Sequence, residues 1–296
     1  MTRTSARMQG FTLVELVAVM ILSGILGLVV WRNITGPLRA FVDVSRRAEL
    51  VDEGELALNR IQRELRLALP NSVRVLPGGT ALEFLRTTAG GRYRLETDPG
   101  DPASDTFDFT LTSDSFDVLG GLAGDIPRAG AGGLAGCLGG NIDCVAVYNT
   151  GVPQDCTAFT TARSNAWCGD NLAGIAAYDA ASAALTFDRT DAGSPLPLQS
   201  PQQRFFVVDT PVTFTCDAGG MRRHAEYPIA AVQVANPGGD AALLARHVES
   251  CVFSYAAGGA SRNGLVTIRL VLSAENLDGG REGVTLLHQV PVINTP

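Results

Sequence analysis

Gly10-Phe11-Thr12-Leu13-Val14-Glu15-Leu16 opens an apolar run that continues unbroken to Val30. Its clearly polar members are Thr12, Glu15 and Ser23. At about 1.5 Å rise per residue, residues 11–30 predict a helix of roughly 30 Å, the hydrocarbon thickness of a bilayer. Trp31 and Arg32 follow at once, an amphipathic ring and a cation suited to the headgroup boundary. A plain anchor has no use for Glu15. A lone carboxylate in lipid costs roughly 2.5–3.5 kcal/mol or more, so this one needs a partner. Cleavage after Gly10 would supply one, because the new α-amino group of Phe11 stands at i, i+4 to Glu15 on the same helix face. The amine of a neighbouring subunit is the alternative, and would make the charge pair an assembly device. Residues 1–10 carry Arg3 and Arg7 and no acid. A secretory signal peptide would place its small-residue cleavage site after the apolar run, not before it.

Composition sets the rest of the frame. The chain has 296 residues, with 33 Gly and 15 Pro, which favours a loop-rich β head over a helical bundle. Formal net charge is −7, and loss of Arg3 and Arg7 with residues 1–10 makes it −9. All 23 cations are arginine. An acidic, lysine-free chain without an arginine-rich block speaks against nucleic acid as a partner. Cys137, Cys144, Cys156, Cys168, Cys216 and Cys251 all follow the apolar run and form no Cys-x-x-Cys. With His224, His247 and His288 as the only histidines, a zinc cluster is poorly supported, and disulfides in an oxidising compartment are expected. That places the N-terminus in the cytoplasm and the head in the periplasm, on one pass through a bacterial inner membrane.

Gly36 and Pro37 predict an interruption or kink after the span. From Ala40, Val44, Ala48, Val51, Leu58, Ile61, Leu65 and Ala68 form one apolar stripe, so residues 32–69 are expected as an amphipathic helix lying on a sheet and ended by Pro70. Residues 73–76 and 81–85 flank Pro77-Gly78-Gly79-Thr80, a hairpin signal. Residues 106–112 alternate strictly and predict a strand with Phe107, Phe109 and Leu111 on one face. Asp98, Asp101, Asp105 and Asp108 crowd a Pro/Gly-rich loop; they are candidate calcium oxygens, but no EF-hand spacing is present and a solvated acidic loop is preferred. Residues 120–140 read as a mobile surface loop; their Gly-Ala pattern does not make a dinucleotide fingerprint without a strand before it and a helix after it. Residues of about 113–203 are read as a disulfide-containing insertion. Local bridges Cys137–Cys144 and Cys156–Cys168 are one choice among the 15 connectivities that six cysteines allow. Further on, strands are expected at 204–208 and 212–215 around Asp209-Thr210-Pro211, a short helix at 240–248 with Asp240 as N-cap, and strands at 252–255, 265–272 and 284–290. Val266, Ile268, Leu270 and Leu272 should share a face. His224 is expected exposed, His247 at the end of the short helix, and His288 as a core or edge histidine.

The basic leader ending in Gly10, then Phe-Thr-Leu-x-Glu and an apolar helix, resembles the class III signal of type IV pilins and type II secretion pseudopilins. The resemblance implies cleavage between Gly10 and Phe11 by a prepilin peptidase, N-methylation of Phe11, and a role for Glu15 in assembly. The order of elements over 204–296 is similar to larger minor pilins of the MSHA biogenesis protein O type, with the pseudopilin J and pilus-assembly protein W groups close behind. It sets Cys216 and Cys251 near neighbouring strands, where a bridge would contribute on the order of 3–4 kcal/mol. Calcium is carried by some pseudopilins, and here would fall to the four aspartates above. The fold implied is α+β: leader 1–10, membrane and assembly helix 11–31, amphipathic continuation 32–69, and an antiparallel β head over 70–296.

No Gly-x-Ser-x-Gly, His-Glu-x-x-His or Cys/His couple at a useful spacing occurs, so neither an enzyme nor a cofactor is expected. The partners implied are other minor and major pilins, the prepilin peptidase and an inner-membrane assembly platform. The functional readings are a minor pilin of a type IV pilus or its tip complex, a type II secretion minor pseudopilin, or a tip adhesin acting through residues 137–168.

Overall fold

A computed structural model describes residues 12–152, 155–157, 163–217, 219–258, 263–275 and 279–296, apart from the side chain of Arg39. The chain forms two compact units, Met1–Glu49 with Ala274–Glu282, and Leu50–Ser273 with Gly283–Pro296. Helix α1, Leu13–Leu65, begins in the first and ends in the second.

In the first unit every described residue from 12 to 31 is exposed, including Leu13 at 80% and Trp31 at 72%. Contrary to the interruption expected at Gly36-Pro37, the helix continues through Pro37. Proline inside a helix loses one backbone bond and costs about 3 kcal/mol, and the unbroken run of helical residues on both sides absorbs this. Two polar side chains just before it turn back onto the helix, Asn33 Nδ2 donating to Val29 O at 2.8 Å and Thr35 Oγ1 to Trp31 O at 2.9 Å. Arg47 Nε donates to Glu282 Oε1 at 2.8 Å, tying α1 to the returning segment of the same unit.

In the second unit, α1 turns one stripe inward: Leu50, Gly54, Ala57, Leu58, Ile61 and Leu65 are buried. Of the stripe read from the sequence, Leu58, Ile61 and Leu65 are in the core, whereas Val44 and Ala48 are exposed. Each large aliphatic side chain so buried contributes about 1.5–3 kcal/mol. The helix ends at Leu65, a turn short of Pro70, with Leu67 and Ala68 N–H folding back to Glu64 and Leu65 carbonyls.

The main sheet has ten antiparallel strands. These are β1 (Arg74–Val75), β2 (Ala81–Arg92), β3 (Ser113–Asp117), β4 (Ala123–Gly124), β5 (Cys144–Val147), β6 (Leu172–Asp179), β7 (Ala184–Asp188), β8 (Arg204–Asp217), β9 (Gly220–Ala225) and β10 (Asp240–Ala245). Its spatial order is β1-β2-β8-β5-β6-β7-β3, with β4 on β2, β9 on β8 and β10 on β9. A second sheet, β11 (Val248–Ala256), β12 (Gly264–Glu275) and β13 (Arg281–Val292), carries the expected apolar face, Val266, Ile268, Leu270 and Leu272 all being fully buried. The hairpin at Pro77-Gly78-Gly79-Thr80 joins β1 to β2 as read, Val75 pairing with Leu82.

Several expectations are corrected. Residues 106–112 are not a strand. Asp108 accepts from Thr110 N at 2.8 Å and bends the chain, while Phe107 and Phe109 still pack inward with Tyr93, Phe116 and Phe187. The strand follows, at β3. Residues 240–248 are strand β10 and the start of β11 rather than a helix, because the free edge of β9 offers Asp240–Ala245 a ladder that overrides the helix propensity of Ala and Leu. Residues 204–217 form one continuous strand. Pro211 is tolerated because β5 pairs only with 205–208 and β9 only with 213–217, and the β2 ladder shifts register beside it. Within 120–140 lie β4 and helix α2 (Gly133–Leu138), whose amides at Leu134 and Ala135 donate to Asp191 at 2.9 and 2.7 Å, so the stretch is held rather than loose. Between 113 and 203 the chain supplies β3, β4, β5, β6 and β7 to the main sheet alongside its disulfide-bonded loops.

The structure pairs Cys137 with Cys144, Cys156 with Cys168 and Cys216 with Cys251. The third joins β8 to β11 across the two sheets, over a sequence separation of 35. His247 lies between β10 and β11 instead of ending a helix, and its Nδ1 is 2.7 Å from Glu53 Oε2 on α1. Burial of Glu53 would raise its pKa, but the Arg246 amide and the His247 ring, both bonded to the carboxylate, hold it below the ordinary glutamate value.

Replacing Cys216 and Cys251 together by Ser should lower stability by about 3–4 kcal/mol, read from the thermal midpoint of the oxidised protein. Glu53 has its pKa depressed on folding, so its contribution is present above the unfolded glutamate pKa and lost as pH falls through the lower folded value. The thermal midpoint of Glu53→Gln should therefore fall less than that of the wild type over this acid range.

Candidate assembly site at the helix start

The site is built on the first turn of α1. Its N-terminal amides have no partner within the helix, so the residue before Leu13 must satisfy one of them. Thr12 does this through its hydroxyl, which accepts from Glu15 N at 3.3 Å. The carboxylate reaches back in turn, Glu15 Oε2 lying 3.4 Å from both Thr12 N and Thr12 Oγ1. This is a Thr-x-x-Glu capping box: two orphan amides are covered reciprocally, and a negative charge sits at the positive end of the helix dipole. Reading Glu15 only as a partner for an amine overlooked Thr12, although the four-residue signature was visible in the sequence. The cap uses atoms of residues 12 and 15 alone, so removal of residues 1–10 leaves it in place. Gly10 and Phe11 lie outside the described residues.

Beyond this turn the apolar surface is continuous and bare. Leu16, Val17, Val19, Met20, Ile21, Leu22, Ile25 and Leu26 are 45–67% exposed, and among the described residues α1 is the one helix long and apolar enough to cross a membrane. A bare stretch of this size marks a surface that lipid or other chains cover.

The remaining polar candidates are occupied locally. Asp98 Oδ1 accepts from Gly100 N at 2.8 Å, Asp101 Oδ1 from Ala103 N at 3.0 Å, and Asp108 from Thr110; Asp105 accepts from the Ser115 hydroxyl. Each aspartate thus serves its own turn or strand, and among the described residues no group of three or more His, Cys, Asp or Glu converges as a metal site. His224, expected exposed, is buried in β9 with Nε2 3.1 Å from Thr215 Oγ1, because β8 and β10 flank it on both sides. His288 is half-buried on β13 and 3.1 Å from Gln62 Oε1. Tyr227 donates to Glu83 Oε1 at 2.9 Å; its burial, then the neighbouring negative charge, raises its pKa far above the phenol range, so it acts as a neutral donor.

Comparison with known proteins finds one family model, the prokaryotic N-terminal methylation motif, matching residues 5–31. No curated protein and no solved structure matches the chain. The matched segment contains Gly10, Phe11 and the capped turn at Thr12–Glu15, and it fits a single-pass anchor at the inner membrane. Together with a long N-terminal helix and an antiparallel β head, the motif supports a type IV pilin-like protein with a prepilin-type signal.

Proposed function

We propose that this chain is a minor pilin, cut between Gly10 and Phe11 by a prepilin peptidase, methylated on Phe11, and added to a type IV pilus of the MSHA type or to its tip complex. The observation that carries the reading is the methylation motif over residues 5–31, set on an apolar helix face that none of the described residues covers. Before assembly the apolar run sits in the inner membrane with the head in the periplasm, where the three disulfides form. In the filament the runs of neighbouring subunits, major and minor pilins, replace lipid around it. Glu15 then neutralises a terminal amine, its own or a neighbour's, and so sets subunit register. The assembly platform of the inner membrane drives the transfer. The head works by shape and surface rather than by catalysis, binding no cofactor.

The equivalent place in a type II secretion pseudopilus uses the same helix and the same processing. Recovery of the protein with a platform specific to one of the two systems separates them.

Edman sequencing of the mature protein should begin at a methylated Phe11, and Gly10→Leu should leave the unprocessed, slower-migrating band on a gel. Glu15→Leu should insert in the membrane and be processed, yet fall at least about tenfold in sheared filament fractions, since it removes a charge pair in an apolar setting. Normal incorporation of Glu15→Leu would remove the register argument.

A further inference from the structure

Nine arginines of the described chain are paired with carboxylates: Arg47, Arg60, Arg74, Arg86, Arg94, Arg128, Arg163, Arg222 and Arg223. Arg66, Arg92 and Arg204 behave differently. None of them has an ion pair or a side-chain hydrogen bond among the described residues, and all three line one surface depression. It consists of two grooves, about 550 and 470 Å³, that meet at Thr87, Arg204 and Phe206. Among the described residues, no carboxylate lines either groove. In a chain of net charge −7, an acid-free patch holding three unpaired guanidinium groups is the reverse of the surrounding surface.

The ladder sharpens this. Arg92, the last residue of β2, is the direct cross-strand partner of Arg204, the first residue of β8. Directly opposed residues of an antiparallel pair share a face with Cβ atoms about 5 Å apart, and like charges there are destabilising. The two residues before Arg92 are Gly90 and Gly91, so no neighbouring side chain on β2 stands between the pair and the groove. Apolar surface continues along the same depression, with Leu67 48% and Ile293 65% exposed.

We propose that this arginine-lined groove is the docking site for an acidic segment of another protein chain, with carboxylates set between Arg92 and Arg204 and toward Arg66, and apolar side chains on Leu67, Phe206 and Ile293. An anion between Arg92 and Arg204 relieves their repulsion, and guanidinium–carboxylate pairs are the strong, directional class of contact. Protein rather than nucleic acid is the occupant because the floor of the depression is apolar, with Leu67 and Ile293 exposed along it, and so suits the aliphatic side chains of such a segment. The assignment rests on the head alone and stands whether or not the chain enters filaments.

The test uses the full-length protein in neutral detergent and a fluorescein-labelled short peptide alternating glutamate and leucine, followed by anisotropy. Wild type should bind this peptide, weakly at high salt, and bind the glutamine–leucine counterpart at least about tenfold less well, as expected when the charge-assisted contacts are lost. Arg92→Glu turns the repelling pair into an attracting one, so its thermal midpoint should hold or rise while peptide affinity falls about tenfold or more. Arg269→Glu, the same charge change on β12 outside the grooves, should leave affinity unchanged. Absence of peptide binding by the wild type, equal losses in Arg92→Glu and Arg269→Glu, unchanged affinity in Arg92→Glu, or displacement of the peptide by a single-stranded oligonucleotide at lower concentration than by the unlabelled acidic peptide would each overturn the proposal.

Discussion

The head is organised by how closely α1 approaches the smaller sheet. At Gly54 a Cβ would stand 2.4 Å from Leu286 Cδ1 and 2.8 Å from Leu272 Cδ1, so any larger residue there would have to push these two leucine side-chain ends aside. Leu50 and Leu58 one turn away on either side, and Ile61 a turn beyond, are almost completely buried. Charge is admitted there on strict terms. Glu64, 6% exposed, receives Arg223 Nε from β9 at 2.7 and 2.9 Å, with Arg60 added from the same helix. Breaking such a pair strands a buried charge and costs about 3–5 kcal/mol, whereas an apolar replacement of both partners can be neutral. Its use is therefore in fixing rotation and register of the helix against the main sheet, with Gly54 fixing depth against the other.

At its front end the same helix meets the opposite solvation problem. Residues 12–31 present an apolar surface on all sides, and water is a poor solvent for it. Within that stretch Glu15 is tolerated because the Thr12 amide and hydroxyl already sit within reach of its carboxylate. The processing signal and the helix start are thus written in the same residues. Thr12 and Glu15 cap the first turn before and after removal of a leader, while the Phe11 amine that cleavage would create adds charge at the same end of the helix. A pilin-like role uses both halves of α1 at once, a bare half for lipid or neighbours and a half sealed onto strands.

The head between β2 and β8 is built by inserting strands rather than by looping out. Chain from 93 to 203 leaves the sheet after β2 and returns as β5, β6, β7 and β3, so that β8 ends up between β2 and β5. Glycine-rich turns make this route possible, and Cys137–Cys144 and Cys156–Cys168 shorten it at two points. A separate aromatic core forms where the added strands meet, with Tyr93, Phe107, Phe116, Phe187 and Phe205 in mutual contact. One consequence is the opposed Arg92–Arg204 pair at the end of the β2–β8 ladder, a pairing invisible until a strand from residue 92 is laid beside one from residue 204.

The sequence by itself determined the features that depend on neighbours along the chain. The apolar run, the position of Glu15 and the 3.6-residue stripe at Leu58, Ile61 and Leu65 follow from helical periodicity. The hairpin at Pro77–Thr80 and the period-2 face of Val266–Leu272 follow from local turn chemistry and strand alternation. The capping box was legible there too, since Thr12 and Glu15 are three apart. Tertiary structure alone decided what depends on a distant partner. Asp240–Ala245 became a strand because β9 had an open edge, and His224 was buried because strands closed on both sides of it. Pro211 stayed within β8 because neither neighbour needed its missing amide. In each case the deciding contact is made by a paired strand rather than by the residues beside it in the chain, and local periodicity does not say which strands will pair.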